Sequence, residues 1–317
     1  MSSPELEPFD CLIIGGGPAG LGVASSLARM NHSALLFDSG VYRSAVAQHM
    51  HNVLGWDHVD ASELRARARA DLKSRYGSIK LLDRQVSTAR RLPSNNFEVV
   101  DADGQVSTGR TLVLATGVRD IMPEIEGYAA CWGRGIFHCL LCHGYEERDA
   151  QSVGVLAVGT SAIPRVAGQT ARSAAQFGRS ITIYTHGNEV LVTEMQDALG
   201  GGSKRIVYEP RRIARIKMAE PGEKGVVIVL EDGTEIMEGF LAHTPDQEIN
   251  GPFAEQLGLE TMESGHVKTT EPFGETSVPG VFAAGDIMSR TQFVTGAALS
   301  GGTTGAGIGY MLQAANL

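Results

Sequence analysis

Cys139 and Cys142 are separated by two leucines and flanked by His138 and His143. Two thiols at this spacing can close a disulfide reversibly. A thiolate in such a pair is favoured by a neighbouring base or positive end. His143 follows the second sulfur and can carry protons near neutral pH; His138 precedes the first. We take His143 as the leading base and His138 as the second candidate. A structural zinc half-site is the alternative chemistry. It needs two more ligands, no second Cys-x-x-Cys exists, and the two histidines flank the pair too tightly to complete one. No metal is therefore expected. Cys11 falls in an apolar run and reads as an inert filler, and Cys131 reads as structural.

A second constellation opens the chain. Gly15-x-Gly17-x-x-Gly20 lies between an apolar run and a helical pattern. The first glycine permits a tight turn, the second lets backbone approach a pyrophosphate, and the third lets helix and strand pack closely. Pro18 and Ala19 complete the loop. Asp38 ends the next apolar run, where a carboxylate can accept a hydrogen bond from a ribose hydroxyl, with Ser39 beside it. The spacing does not say which dinucleotide binds.

The elements that must hold these residues follow from periodicity and turn signals. Phe9–Ile14 reads as a strand, Leu21–Met30 as a helix and Ala34–Phe37 as the next strand. Phe97–Val100, Asp103-Gly104 and Val106 form a hairpin signal, followed by an apolar strand over Leu112–Ala115 that ends at Thr116-Gly117. The order then recurs: strand Val153–Val158, a loop from Gly159, helix Pro164–Phe177 and strand Ile181–Tyr184. A second hairpin signal runs from Val226–Leu230 through Asp232-Gly233, and Phe240–Ala242 leads to His243-Thr244-Pro245. Two dinucleotide-type βαβ folds in one α/β chain is the natural reading. The run from Val281 to Leu317 adds a strand, Ala284-Gly285-Asp286 and a glycine-rich helix.

Composition narrows the class. Glycine accounts for 39 of 317 residues without a three-residue period, so it serves turns and close backbone approaches. A net charge of -9 argues against a nucleic-acid surface. The charge-free stretches Cys11–Ala28 and Thr291–Leu317 are too glycine-rich to read as membrane spans. Glu5, Glu7 and Asp10 precede the first apolar run, unlike a secretory signal. Four cysteines do not make a secreted disulfide framework. These features predict a soluble, cytoplasmic protein with no nucleic-acid or membrane partner.

The sequence resembles the low-molecular-weight thioredoxin reductase family of FAD flavoproteins, essentially end to end. The matching pieces are GGGPAG at Gly15–Gly20, ATG at Ala115–Gly117, GRGIFHCLLCHGYEER at Gly133–Arg148 and VFAAGD at Val281–Asp286. The resemblance implies two Rossmann-like, three-layer ββα domains of thioredoxin reductase type. It divides the chain into a split FAD domain, 1–119 and 246–317, and an inserted domain, 120–245, that carries the Cys pair. It further implies that Gly285 and Asp286 meet the ribitol or pyrophosphate of FAD, and that Gln292 and Phe293 lie beside the isoalloxazine. A helix beginning near Thr295 would aim its positive end at the reduced flavin. Thr116 and Gly117 complete the FAD set, and a homodimer is implied.

Three departures from ordinary thioredoxin reductases set the functional expectation. The family's nicotinamide loop, Gly-x-Gly-x-x-Ala, is replaced by Gly159-Thr160-Ser161-Ala162-Ile163-Pro164. The arginines that read the 2′-phosphate of NADPH are missing after the next strand, which continues Tyr184-Thr185-His186-Gly187-Asn188-Glu189; Arg165, Arg172 and Arg179 are the available substitutes. The residue after the second cysteine is His143 rather than an acid. FHCxxCHGYE, together with His49-x-His51-Asn52-x-x-Gly55, is similar to the dithiol oxidases that close the disulfides of gliotoxin and holomycin. That resemblance places His51 and Asn52 at the cofactor. It implies a small dithiol substrate of epipolythiodioxopiperazine type, attack on Cys139, transfer of electrons through Cys142 to FAD, and O2 as acceptor giving H2O2. The rivals are an NADPH-dependent reductase of thioredoxin or another disulfide, and a non-catalytic flavoprotein that senses redox state. The intact Cys pair speaks against the latter.

Overall fold

A computed structural model describes residues 7–199 and 205–315. Glu5, Asn316 and Leu317, which entered the reading above, lie outside the described residues. The chain forms two compact units. The first comprises 1–45, 53–119 and 247–317; the second comprises 46–52 and 120–246. The short segment Val46–Asn52 thus leaves the first unit and packs with the second. Gly133 shows why: a Cβ there would come within 2.6 Å of the Val46 side chain.

The first unit begins β1 (Phe9–Ile14), α1 (Pro18–Arg29), β2 (Ala34–Phe37), α2 (Ala61–Arg75), β3 (Ile79–Leu82), β4 (Val86–Arg91), β5 (Phe97–Asp101) and β6 (Val106–Leu114). The chain crosses to the second unit through β7 (Val118–Ile121). There follow α3 (Tyr128–Cys131), β8 (Ile136–Phe137), α4 (Leu140–His143), β9 (Ala150–Leu156), α5 (Pro164–Ala174), β10 (Gly178–Tyr184), α6 (Glu189–Leu199) and β11 (Ile206–Glu209). Three antiparallel strands, β12 (Ile213–Met218), β13 (Val226–Leu230) and β14 (Glu235–Glu238), precede β15 (Leu241–Ala242). The return runs through β16 (Asp246–Ile249) to α7 (Phe253–Gln256), β17 (Val281–Ala283) and α8 (Val294–Ala314).

In the first unit the strand order is β3-β2-β1-β6-β5-β4, and β17 pairs with the second half of β6. The register sets Ile13 beside Leu36 on one side and Val113 on the other. Both faces of this sheet are covered, so β1 is apolar from Cys11 to Ile14 and these side chains alternate between two cores. Cys11 and Ile13 join Val23 and Leu27 of α1, whereas Leu12 and Ile14 join Phe97, Val99 and Phe253. Each such buried aliphatic side chain contributes roughly 1.5–3 kcal/mol. Cys11 is fully buried here, and burial pushes its thiol up to about 12. It is an inert filler, as its sequence setting suggested.

The second unit repeats the parallel arrangement on a smaller scale, with strand order β11-β10-β9-β15-β8. Its core gathers Val153, Val155, Ile181, Ile183, Ala167 and Ala171. Cys131 is buried beneath Tyr128 and Trp132, and its thiol too is raised by burial. The fold is therefore α/β with two Rossmann-like units. Among the described residues no helix is long and apolar enough to cross a membrane.

Candidate active site

β8 delivers the Cys pair. Ile136 and Phe137 pair with Leu241 and Ala242 of β15, and the chain then turns at Cys139 into the single turn of α4. Cys139 and Cys142 are joined as a disulfide. The backbone N–H groups of Cys142 and His143 both donate to the Cys139 carbonyl at 3.1 Å. The Cys142 N–H also faces Cys139 Sγ at 3.2 Å. A thiolate on Cys139 is thus met by a fixed donor as the disulfide opens.

The four candidate catalytic residues divide. Cys139, Cys142 and His143 come together in α4, where the His143 ring stacks on Phe137 at 5.4 Å and 26°. Burial lowers its pKa from the usual 6.5, His51 adds to that shift, and Glu146 opposes it. A histidine so tuned stays neutral and basic near pH 7. His138 instead stacks on Trp132 at 5.6 Å, and its carbonyl accepts from Thr244 Oγ1.

His51, which the resemblance places at the cofactor, lies beside the Cys pair, because Val46–Asn52 packs on the second unit. Its Nδ1 is 2.7 Å from the Cys142 carbonyl oxygen, its Nε2 is 3.5 Å from Glu146 Oε1, and its ring meets that of His143 edge-on at 6.2 Å. A carbonyl only accepts, so Nδ1 carries the hydrogen. Asn52 belongs to the same segment and adopts a left-handed backbone, φ 61°. Glu146 was not singled out from the sequence, although it sits in the quoted CHGYE run.

The first glycine loop has the shape of a cradle. Gly15, at φ 121°, lies so close to Ala115 that a Cβ would sit 2.2 Å from its carbonyl oxygen. A Cβ on Gly20 would meet the Gly15 carbonyl at 1.9 Å. These two glycines are required by the backbone. Gly17 differs: nothing lies within 4 Å of its missing Cβ, and it caps α1 without a side-chain hydrogen bond. Pro18 fills the first helical turn, where no N–H is needed. Ala19 reaches towards Gly285, where a Cβ would come within 2.8 Å of it. The open face at Gly17, ahead of a twelve-residue helix, is a seat for a pyrophosphate.

The remaining candidates surround this loop within the first unit. Asp38 is buried at the end of β2; Gly40 N donates to Oδ1, while Tyr42 and Arg69 donate to Oδ2. Ser39 Oγ accepts from Val41 N. Thr116 and Gly117 are held by Asn250. Gly285 donates to Ser300 Oγ at 2.8 Å, and Asp286 lies 3.6 Å from Arg43. Gln292 accepts from Arg43 and donates to Gln247, and Phe293 is the N-cap of α8. A bare glycine face, a helix N-terminus and a ribose-type carboxylate fit a flavin dinucleotide.

The second loop, Gly159–Ala162, is built otherwise. Ser161, where the family has its second glycine, is buried and bonded to Thr244: its Oγ donates to the Thr244 carbonyl at 2.7 Å. His186 Nδ1 accepts from Ile213 N, and burial and Arg212 keep the ring's pKa low. Arg212, which was not named from the sequence, lies along Gly187 just past this strand, where a Cβ would be 3.0 Å from its side chain. It is paired with Glu231 at 3.3 Å.

Buried His243 supports the Cys strand. Tyr128 OH meets its Nδ1 at 2.7 Å, and its Nε2 donates to the Val158 carbonyl at 3.2 Å. Its backbone N–H donates to the Phe137 carbonyl. Burial lowers its pKa to about 4, so it is a neutral strut.

Comparison with known proteins identifies the family. The sequence profile of the pyridine nucleotide-disulphide oxidoreductase family matches residues 9–301. "Thioredoxin reductase sirT" of Leptosphaeria maculans is 40% identical over 314 residues, covering 98% of this chain and 96% of its own. "Thioredoxin reductase tcpT" of Claviceps purpurea is 43% identical over 297 residues, covering 93% and 92%. Among solved structures, an oxidoreductase from Agrobacterium tumefaciens superposes with a TM-score of 0.83 at 30% identity, covering 96% of this chain and 99% of its own. The structure of HlmI gives 0.86 at 26% identity, covering 98% and 94%. The chain belongs to the pyridine nucleotide-disulphide oxidoreductase family, as a thioredoxin reductase-like flavoprotein with FAD as its cofactor.

Proposed function

We propose that this chain is an FAD-dependent dithiol oxidase that closes an intramolecular disulfide in a small natural product of epipolythiodioxopiperazine type, acting as a homodimer. The observation that carries the reading is the Cys139–Cys142 disulfide with neutral His143 beside it, in a unit whose second dinucleotide loop has Ser161 locked to Thr244 in place of a bare glycine.

Bound FAD supplies a two-electron acceptor that O2 reoxidises, with H2O2 as the product. Gly15, Gly17 and Gly20 with the α1 N-terminus hold its pyrophosphate, Asp38 its ribose, and Gly285, Asp286, Gln292 and Phe293 complete the set. His143 takes the proton from the first substrate thiol. The thiolate attacks Cys139 Sγ; the Cys139–Cys142 bond breaks, and Cys142 leaves as thiolate. The Cys142 thiolate takes the proton of the second substrate thiol, whose sulfur then attacks the substrate sulfur already bonded to Cys139. Cys139 departs towards the Cys142 N–H, and the substrate leaves as a cyclic disulfide. Two electrons and two protons have then passed from substrate to enzyme.

The test is oxygen uptake by the holoenzyme with a reduced small-molecule dithiol and no NADPH. Stoichiometric H2O2 and a cyclic disulfide are expected; no uptake with any of a panel of such dithiols overturns the reading. The rival is an NADPH-dependent disulfide reductase. Arg212 beside Gly187 favours it, as do the names of the relatives. Anaerobic mixing with NADPH decides: rapid, complete bleaching of the flavin establishes the rival.

A further inference from the structure

We propose that Asp246 shuts the second dinucleotide loop against pyridine nucleotides. The inference deepens the reading of this chain as a dithiol oxidase and rests on it. In a βαβ unit, the loop between the first strand and the helix presents its backbone N–H groups to a pyrophosphate. Here that loop is Gly159–Ala162, between β9 and α5. Thr160 N donates to Asp246 Oδ1 at 2.7 Å, and the Thr160 hydroxyl donates to the same oxygen. The other carboxylate oxygen lies 2.8 Å from where a Cβ on Gly159 would sit, at φ 60°. The carboxylate therefore covers the bare face of the loop's first glycine and takes the donors that a phosphate would need.

The neighbours of Asp246 extend the closure. Ser161 Oγ donates to the Thr244 carbonyl at 2.7 Å and accepts from Thr244 N at 3.3 Å. His243 Nε2 donates to the Val158 carbonyl. The run His243–Asp246 thus binds Val158, Thr160 and Ser161. Thr244 Oγ1 also reaches the carbonyl of His138, next to Cys139. A loop released from cofactor binding has become a brace for the strand that carries the disulfide.

Charge makes the closure selective. A pyrophosphate is an anion, as is the carboxylate it would have to displace, and like charges at hydrogen-bond distance repel. This exclusion is independent of the 2′-phosphate, for which Arg212 is nearby. The probe is therefore NADH, which lacks that phosphate, with uncharged adenosine as its control.

The experiment is calorimetric titration of the holoenzyme, wild type, Asp246→Ala and Asp246→Asn. We expect Asp246→Ala to bind NADH at least about tenfold more tightly than wild type, Asp246→Asn to fall between them, and adenosine binding to stay unchanged. Asp246→Asn keeps the shape and an acceptor for Thr160, so it decides the matter if Asp246→Ala does not fold. Variants with wild-type melting and flavin content that bind NADH no more tightly than wild type overturn the proposal. The two readings fail separately. Bleaching of wild type by NADPH overturns the oxidase reading, whereas unchanged NADH affinity in an enzyme that oxidises dithiols overturns only the role of Asp246.

Discussion

His51 Nδ1 lies 2.7 Å from the backbone carbonyl oxygen of Cys142. The bond fixes the end of α4 on which His143 sits, and Glu146 steadies the ring from its other side at 3.5 Å. His51 is thus a positioning residue for the sulfur pair. We expect His51→Ala to slow thiol oxidation about tenfold through a lost geometry. His51→Asn, whose amide can donate from nearly the place of Nδ1, should recover most of the rate. Stopped-flow measurement of flavin reduction by a dithiol checks both. Equal loss in the two variants would argue that the ring itself is needed.

The order of sulfur attack is open to a trapping experiment. Cys142→Ser leaves Cys139 as a free thiol with no partner to resolve a mixed disulfide. Mixed with a symmetric linear disulfide, it should gain the mass of one half of that disulfide as a stable adduct, the other half leaving as thiol. Cys139→Ser should form this adduct at least about tenfold more slowly, because Cys142 is the inner sulfur in the proposed sequence. Intact-protein mass spectrometry reads both. Faster labelling of Cys142 would reverse the assigned roles.

His143 sets the acid limb of the rate profile. Burial lowers its pKa below 6.5, so its neutral, proton-accepting form persists into more acidic solution than a free histidine allows. The thiol-to-enzyme step should therefore lose rate below pH 6.5 rather than at it. His143→Asn should remove that limb and slow the step about a hundredfold. A pH series of anaerobic reduction rates measures the effect.

Much of the frame was legible in the sequence, and the misses have physical causes. β1 and β2 are short apolar runs ended by a glycine or an acid, so their limits were read correctly. α1 begins at Pro18, three residues before its apolar pattern shows, because proline fits the first turn. β6 was read in two parts, since Gly109 and Arg110 interrupt its apolar run. The structure runs through them because Gly109 pairs with Phe9 of β1 and Phe97 of β5, close against the Leu12 side chain. α2 went unread: Arg65, Arg67, Arg69, Asp71 and Lys73 leave it no apolar stripe, and Leu72 is its one buried residue. His51, Arg212 and Asp246 were missed in their present roles for a common reason. Their partners are distant in sequence, and no spacing rule connects them.

Acid should loosen the second unit through His243. Its pKa falls from 6.5 to about 4 on folding, so the unfolded chain binds the extra proton between those values. Stability contributed by the neutral ring is complete above pH 6.5 and is lost as the pH falls towards 4, about 3 kcal/mol in all. Denaturant melts across this window should show the slope, and His243→Gln should flatten it by about one proton while lowering stability at pH 7. An unchanged slope would mean that His243 is not the group that titrates.

Two glycines of the first unit separate a packing role from a binding role. Gly301 of α8 lies where a Cβ would be 2.0 Å from the Ala19 carbonyl oxygen, so Gly301→Ala must push α8 away from α1. The atom in the way is backbone and cannot swing aside. Overpacking of this kind costs about 1–3 kcal/mol or more. Gly17 has open space in front of it and an ordinary φ of -76°, so Gly17→Ala strains nothing. The added methyl instead fills the seat assigned to the pyrophosphate. Gly301→Ala should therefore lower the melting temperature of the apoprotein and, with it, flavin content. Gly17→Ala should leave apoprotein melting at the wild-type value and weaken FAD retention at least about tenfold. Flavin absorbance per mole of purified protein, with a melt of the stripped protein, distinguishes the two. Full flavin content in Gly17→Ala would place the pyrophosphate elsewhere and undo the assignment of this loop.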